Sequence, residues 1–211
     1  MQAIDLLLSR NSLGPAFHDE PGPDEHAMAT ILAAAVRAPD HARLRPWRFL
    51  VIAGAARARL GEVFVAALRQ RDPTADEAAI EKERGRPLRS PMLIAVIARL
   101  TPDHPKTPII EQVLSAGAAA MQILNAAQAL GFGAMWLTGA NAYDGHVLAS
   151  LGVADGEQLI GFVYLGTPRQ VPRDVGRPDW RAHVAPWTGP IQRPGPERGP
   201  GRPPEPDQGN E

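Results

Sequence analysis

Four short apolar runs, separated by longer segments with helical periodicity, dominate the hydrophobic pattern of this chain. The runs are residues 47–53, 92–98, 134–138 and 158–166. They are rich in β-branched, leucine and aromatic residues, and glycine or proline stands near their ends, which predicts β-strands. Because the first two runs do not alternate between apolar and polar residues, we expect those two strands to be buried on both faces.

Between the strands, apolar residues recur every three or four positions, which predicts helices. One begins at Asp24, a favourable N-cap, and runs to Arg37 before Pro39 stops it. The longest is predicted over residues 109–130, which are apolar nearly all round and rich in small side chains. Such a helix packs in a core or against a second subunit. Further helices are predicted over residues 4–10, 55–69, 74–83 and from 141 or 143 to 152.

Two segments depart from this pattern of strands and helices. Residues 72–89 are highly charged, and this segment, which includes the helix predicted over 74–83, suggests a solvated lid. Residues 190–211 contain seven prolines and a single aliphatic residue, Ile191, so they bury too little apolar surface to fold. We therefore expect one domain over residues 1–188 and a disordered Pro/Gly-rich tail over residues 189–211.

Charge and composition argue against several classes of partner and chemistry. The 211 residues carry a formal net charge of −1, so no basic field attracts nucleic acid or anionic lipid. No run reaches the roughly 18 apolar residues that cross a bilayer, and the N-terminus lacks the basic lead of a signal peptide. The chain has no cysteine, which excludes thiolate catalysis and thiolate-bound metals. We expect a cytoplasmic protein that binds neither nucleic acid nor membrane.

Common catalytic motifs are absent from the sequence. There is no glycine-rich phosphate loop of the dinucleotide-binding or P-loop type and no Gly-x-Ser-x-Gly elbow. The six histidines are scattered without metal-ligand spacing, so we expect no metal site. An enzyme of this composition is expected to take its reactivity from an organic cofactor.

Cationic and hydroxyl side chains gather near the N-terminus in a pattern that suits a phosphate group. Arg10 and Ser12 lie at the end of the first predicted helix, and Arg37 and His41 lie at the end of the second. Arginine presents a fixed fork of donors that matches phosphate oxygens, and serine adds a short donor. The alternative is a set of surface charges that cap helices, and a histidine after Pro-Asp at a helix end is commonly a cap. The residues alone leave both interpretations open.

Six segments in unbroken order carry a resemblance to a known family over about residues 1–170. They are LLSRNS at 7–12, AVRAPDH at 35–41 with RPWRF at 45–49, SAG at 115–117, ALGFGAMW at 129–136 and IGFVYLGTP at 160–168. In these segments the chain resembles the nitroreductase family of flavoproteins.

The resemblance implies an α+β fold with a central, mostly antiparallel sheet flanked by helices. It also implies an intertwined homodimer that holds one FMN per subunit between the subunits, with NADH or NADPH as electron donor. FMN contacts are implied for Arg10, Asn11, Ser12, Arg37, His41, Trp136, Leu137 and Thr138. Residues 126–131 correspond to a segment assigned to the nicotinamide nucleotide, and no catalytic side chain is implied.

Two positions depart from the family pattern. Close relatives often carry a second arginine where this chain has Asn11, and a basic residue where it has Leu137. Each lost charge-assisted hydrogen bond is worth about 1.5–3 kcal/mol, so FMN is expected to bind more loosely unless Arg48 or Arg169 compensates.

The resemblance predicts an FMN-dependent NAD(P)H oxidoreductase that reduces nitroaromatic or quinone-like small molecules by ping-pong hydride transfer. One alternative is a flavoenzyme of the same fold but another type, such as a dehalogenase, a flavin-consuming lyase or a biosynthetic dehydrogenase. Another is a non-catalytic flavin-binding protein whose proline-rich tail recruits a partner. The physiological substrate and the choice between NADH and NADPH stay open, because no basic cluster can be assigned to a 2′-phosphate.

Overall fold

A computed structural model describes residues 2–170 and 176–190. The helices in this part of the chain are Ala3–Ser9 (α1), Glu25–Ala35 (α2), Ala55–Arg71 (α3), Glu77–Gly85 (α4), Ile109–Ala129 (α5) and Gly145–Ser150 (α6). The strands are His18–Asp19 (β1), Trp47–Ala53 (β2), Met92–Arg99 (β3), Gly133–Leu137 (β4) and Glu157–Pro168 (β5). All four predicted strands are present, within two residues of the predicted ends.

Contacts divide the chain into two compact units, residues 1–174 and 175–211, and each is described by itself. All the helices and strands named above belong to the first unit. In the second unit, the described residues include a short 3-10 turn at Trp180–His183. The predicted division between a 1–188 domain and a 189–211 tail stays a prediction, because residues 191–211 lie outside the described residues.

A five-stranded antiparallel sheet organises the first unit around β5, the longest strand. β5 pairs with β3 on one side and with β4 and β1 on the other, and β2 pairs with the outer side of β3. The register places Ile94 of β3 between Val51 of β2 and Val163 of β5. Helices cover this sheet, so the predicted α+β fold with an antiparallel sheet is confirmed.

Two apolar layers hold the helices on opposite faces of the sheet. On one face, Ile31 of α2 and Ile123 of α5 pack against Ile94 and Val163. On the other face, Phe64 of α3 packs edge-to-face on Phe162 of β5, with ring centroids 5.8 Å apart. Successive residues of a strand point to opposite faces, so β3 and β5 contribute to both layers.

The two apolar strands predicted to be buried on both faces differ in the structure. Residues 93–98 of β3 are all 0% exposed, as expected for a strand with neighbours on both sides. In β2 only Ile52 is fully buried and Val51 is 45% exposed, so the prediction for residues 47–53 is wrong for the single chain. The reason is position: β2 pairs with β3 alone and forms one edge of the sheet. The apolar pattern did not distinguish an edge strand from a central one.

Part of the charged segment 72–89 packs against α3, while most of its charged side chains are exposed, so the solvated lid stays a prediction. Ile80 of α4 is 6% exposed, and Glu83 is also buried. The helices approach closely at Gly61, where an added Cβ would lie 2.4 Å from the carbonyl oxygen of Arg84. α4 therefore packs closely on α3, and a 3-10 turn at Arg86–Arg89 connects α4 to β3.

His18 fixes β1 beside the start of β4. Its side chain is 6% exposed, and its Nδ1 lies 2.8 Å from the hydroxyl oxygen of Ser90. Burial lowers the pKa of His18 to about 4, against a weaker opposing effect of the Leu13 backbone. Gly133 makes room for this imidazole, since an added Cβ would lie 3.0 Å from its Nε2, and Gly166 makes room for Cβ of His18, which would be 2.7 Å away.

Large apolar side chains are exposed on α1 and α5, which contact each other. Six of them are here called the α1–α5 apolar face: Ile4, Leu7, Leu8, Ile110, Leu114 and Met121. The opposite side of α5 is buried in the core through Ala116, Ala120 and Ile123. The helix is thus apolar on two sides, but the single chain buries only one of them.

Candidate functional site

A cavity of about 300 Å³, here called the β4 cavity, lies where β4 ends. It is lined by Phe64, Glu83, Arg86, Arg89, Trp136, Leu137, Thr138, Gly139, Ala140, Asn141, Phe162 and Tyr164. Its lining combines an aromatic and aliphatic base from the sheet with charged side chains from α4 and the turn that follows it. Cavities with an apolar base and a few convergent polar groups are the usual form of small-molecule sites.

Trp136 is held in one orientation at this cavity. Its indole Nε1 donates a hydrogen bond to the carbonyl oxygen of Ile160, at 3.2 Å. The indole lies so close to β5 that a Cβ at Gly161 would be 2.4 Å from Nε1. Gly161 also has a φ of +146°, so both the close contact and the backbone conformation require glycine there.

A chain of hydrogen bonds behind the β4 cavity connects α6 to Arg86. Arg71 donates to the carboxylate of Asp144 and, at 3.0 Å, to Oδ1 of Asn141. Asn141 then donates through Nδ2 to Oε2 of Glu83, at 2.8 Å. Arg86 donates through Nε to Oε1 of Glu83, at 2.6 Å. Both oxygens of the buried Glu83 carboxylate therefore have donors.

The pKa values of Tyr164, in the cavity, and of Asp144, near it, are both shifted. Burial raises the pKa of Tyr164, and the nearby Arg89 and Arg86 partly oppose that effect. The Arg89 guanidinium lies over the Tyr164 ring, 6.0 Å from its centroid. Burial tends to raise the pKa of Asp144, but the hydrogen bond from Arg71 and those from backbone N–H groups of α6 bring it below the usual value. Asp144 is therefore an ionised cap of α6.

A second cavity, of about 290 Å³, lies near the start of β4 and is here called the N-terminal cavity. It is lined by Ser9, Asn11, Gln128, Gly131, Phe132, Gly133 and Pro168. The backbone N–H of Asn11 donates to Oε1 of Gln128 at 3.2 Å, and that of Leu13 donates to the carbonyl of Ala134 at 3.1 Å. These bonds place the 10–13 segment along the start of β4. Arg10 is half-buried and Ser12 is exposed in that segment.

The predicted site residues Arg37 and His41 lie in a third place, after α2, and line neither of these cavities. Both are exposed, and Nδ1 of His41 is 2.8 Å from Oε2 of Glu111 at the start of α5. The loop after His41 is strained: Ala42, Arg43 and Arg45 have positive φ values of 62°, 57° and 49°. Such backbone persists where surrounding structure holds it and is enriched at functional sites.

The structure thus brings the predicted residues to three positions. Residues 10–12 lie toward the start of β4, and residues 136–138 lie at its other end. Within a single chain, Arg37 and His41 are not brought to either cavity. Gln128, inside the 126–131 segment that the resemblance links to nicotinamide nucleotide, lines the N-terminal cavity.

The two arginines suggested as compensation for Asn11 and Leu137 are engaged elsewhere. Arg48 donates to both carboxylate oxygens of Glu157, at 2.7 and 2.6 Å, and lowers the pKa of that carboxyl to about 2. Arg169 is paired with Asp19 of β1. Neither side chain lines the β4 cavity or the N-terminal cavity, so the structure does not support that compensation.

Sequence reasoning missed the charged side chains of the β4 cavity. Glu83 lies in the charged segment 72–89, which was interpreted as solvated, and Arg86 and Arg89 lie in a turn of no recognisable motif. The one available signal was the interruption of that run by Gly85 and Pro87, which shows that the chain changes direction there.

Within residues 2–170 and 176–190, every helix is too short or too polar to span a bilayer. The same residues contain no group of three His, Asp or Glu side chains that could hold a metal ion.

Comparison with known proteins agrees with this architecture. The model of the nitroreductase family matches residues 7–167. The chain is 40% identical over 171 residues to the Escherichia coli (strain K12) protein named "Putative NAD(P)H nitroreductase YdjA", and the match covers 80% of this chain and 90% of that protein.

Solved structures show the same fold at low identity. A nitroreductase-like family protein from Bacillus cereus superposes with a TM-score of 0.76 at 17% identity, covering 90% of this chain and 97% of that one. A nitroreductase with bound FMN from Bacteroides fragilis gives a TM-score of 0.66 at 18% identity, covering 89% and 99%. The resemblance inferred from the sequence segments is therefore confirmed: this chain belongs to the nitroreductase family, a family of oxidoreductases.

Proposed function

We propose that this protein is an FMN-dependent NAD(P)H oxidoreductase that reduces nitroaromatic or quinone-like acceptors by a ping-pong hydride transfer. The observation that carries the proposal is the pair of cavities toward the two ends of β4, each bordered by residues that the family resemblance assigns to FMN. At about 3.3 Å per residue, the five residues of β4 span about 17 Å. That separation suits an elongated ligand with different chemistry at each end.

The residues at each end of β4 fit the two ends of FMN. Arg10 and Ser12, in the 10–13 segment, supply the charged and hydroxyl donors that a phosphate requires. Trp136, Leu137 and Thr138 offer an apolar and partly polar wall for a planar ring. FMN bound here would supply two-electron redox chemistry, and these side chains would hold it and orient it. A ping-pong scheme would have the donor and the acceptor occupy the same site in turn.

We also propose that the active form is a homodimer with the α1–α5 apolar face at its interface. An exposed group of large apolar side chains commonly marks a protein contact, and Leu114 is 63% exposed in the single chain. A second subunit also offers a role to Arg37 and His41, which in this family resemblance reach the cofactor of the partner.

Arg10→Ala tests the phosphate end of the proposed site. We expect the variant to remain a folded dimer but to lose FMN during gel filtration, because the guanidinium forms a charge-assisted contact to phosphate. Arg59→Ala, an exposed arginine of α3, is the matched control and should retain FMN. Full flavin occupancy in Arg10→Ala would show that Arg10 is only a surface charge.

Steady-state kinetics test the reaction scheme. Initial rates with NADH or NADPH and a quinone acceptor, both varied, should give parallel double-reciprocal lines. Lines that intersect would mean that donor and acceptor bind together, and the ping-pong scheme would be wrong.

A further inference from the structure

The cations of the β4 cavity come from the α4 region and not from β4. Leu137 lines the cavity, and the family resemblance implies a basic residue at its position. Arg86 and Arg89, from the turn after α4, line the same cavity. The charge that is missing from the strand is therefore present on the facing wall.

The carboxylate of Glu83, which also accepts a hydrogen bond from Asn141, holds Arg86 at this wall. The Nε of Arg86 donates to Glu83 at 2.6 Å, and Asn141 fixes the other oxygen of Glu83 at 2.8 Å. The two terminal NH2 groups of Arg86 take no part in that bond. The side chain is 37% exposed, whereas that of Glu83 is 12% exposed, so the guanidinium is more open than its anchor. A guanidinium anchored through Nε keeps its outer donors available in a defined direction.

Arg89 has a different environment in the same cavity. Its guanidinium lies over the ring of Tyr164. Two guanidinium groups and one carboxylate line the cavity, which leaves a net positive charge at a site where Trp136 and Phe162 provide aromatic surface. This combination suits a planar ring with an electron-rich carbonyl edge.

We infer that Arg86 binds the carbonyl edge of the FMN ring and takes the place of the basic residue that Leu137 replaces. The inference rests on the proposed function, because it requires FMN in the β4 cavity. Glu83 acts through Arg86 and is a positioning residue. A cation at this edge favours FMN binding and stabilises the negative charge that two-electron reduction adds to the ring, so it raises the midpoint potential.

The test compares Arg86→Gln with the full-length wild-type holoprotein. FMN dissociation is measured from the flavin fluorescence released on serial dilution, and the midpoint potential by anaerobic redox titration. Loss of a charge-assisted hydrogen bond predicts a dissociation constant about tenfold higher. If the reduced form loses a further factor of ten relative to the oxidised form, the potential falls by about 30 mV. Arg84→Gln, two residues before Arg86 at the end of α4 but outside the cavity lining, should change neither quantity.

Glu83→Gln tests the positioning role in two backgrounds. The amide keeps one oxygen, which can accept from Asn141, but its NH2 cannot accept from Nε of Arg86, so Arg86 loses its anchor. The change in midpoint potential that Glu83→Gln causes should therefore be more negative in the wild-type background than in the Arg86→Gln background, where no cation is left to position. Equal changes in the two backgrounds would overturn the positioning role, since direct charge effects or general damage to the cavity would then explain them.

Arg86→Lys keeps the test valid if Arg86→Gln does not fold. It preserves the charge but cannot hold Glu83 and a ligand through one planar fork, so FMN should dissociate severalfold more readily. Wild-type affinity and potential in the Arg86 variants, with FMN bound to the wild type, would overturn this inference and leave the proposed function intact. A wild-type protein that does not bind FMN would overturn both.

Discussion

Lowering the pH from about 7.5 to about 5.0 should destabilise this protein through a single buried side chain, His18. The imidazole is 6% exposed, and burial lowers its folded-state pKa from 6.5 to about 4. Below pH 6.5 the unfolded chain protonates at this histidine while the folded chain does not. Protonation thus favours unfolding, and stability falls as the pH drops from 6.5 towards 4.

The magnitude follows from the separation of the two pKa values. Each pH unit between them is worth about 1.4 kcal/mol, so the full effect is about 3 kcal/mol. Between pH 7.5 and 5.0 the expected loss in the free energy of unfolding is about 2 kcal/mol. Glu157, whose pKa is lowered to about 2 mainly by Arg48, adds its own loss below this range, which is why the comparison stops at pH 5.0.

Urea unfolding of the wild type and of His18→Gln, at equal protein and FMN concentrations, isolates this contribution. The other histidines are common to both proteins, so the difference between the two pH dependences belongs to position 18. The wild type should lose about 2 kcal/mol more than the variant between the two pH values. If the two proteins lose the same amount, His18 is not a buried neutral group and the reasoning fails.

Two other substitutions test the packing and the assembly. Gly61→Ala should lower the free energy of unfolding by about 1–3 kcal/mol despite the better helix propensity of alanine, because its Cβ would meet the Arg84 carbonyl oxygen at 2.4 Å. Gly85→Ala, where no atom lies within 4 Å of the added Cβ, is the matched control, and equal stability of the two variants in urea would contradict the α3–α4 packing. Leu114→Glu should yield monomers in light scattering while Arg59→Glu stays dimeric; a dimeric Leu114→Glu protein would place the interface elsewhere.

The strands and the family could be predicted from the sequence because their signals are local. The runs at 92–98 and 158–166 carry enough β-branched and aromatic residues to identify β3 and β5, and the segments around Arg10, His41 and Trp136 indicated the family. Neither signal depends on how distant parts of the chain meet.

The features that the sequence did not predict depend on contacts between distant parts of the chain. The exposure of Val51 follows from the place of β2 at a sheet edge, which its own sequence does not encode. The burial of Ile80 follows from the contact of α4 with α3 at Gly61. Arg86 reaches the β4 cavity through an anchor on Glu83, which is fixed in turn by an asparagine 58 positions further along the chain. Only the folded arrangement shows that these charges face a cavity.

Anaerobic titration of the purified protein with NADH, and separately with NADPH, tests the central claim most directly. The account predicts one FMN per chain whose visible absorbance is bleached by one equivalent of at least one nucleotide and returns when a quinone or nitroaromatic acceptor is added. Protein that is colourless and takes up no FMN, or whose bound flavin keeps its absorbance with both nucleotides, would contradict it.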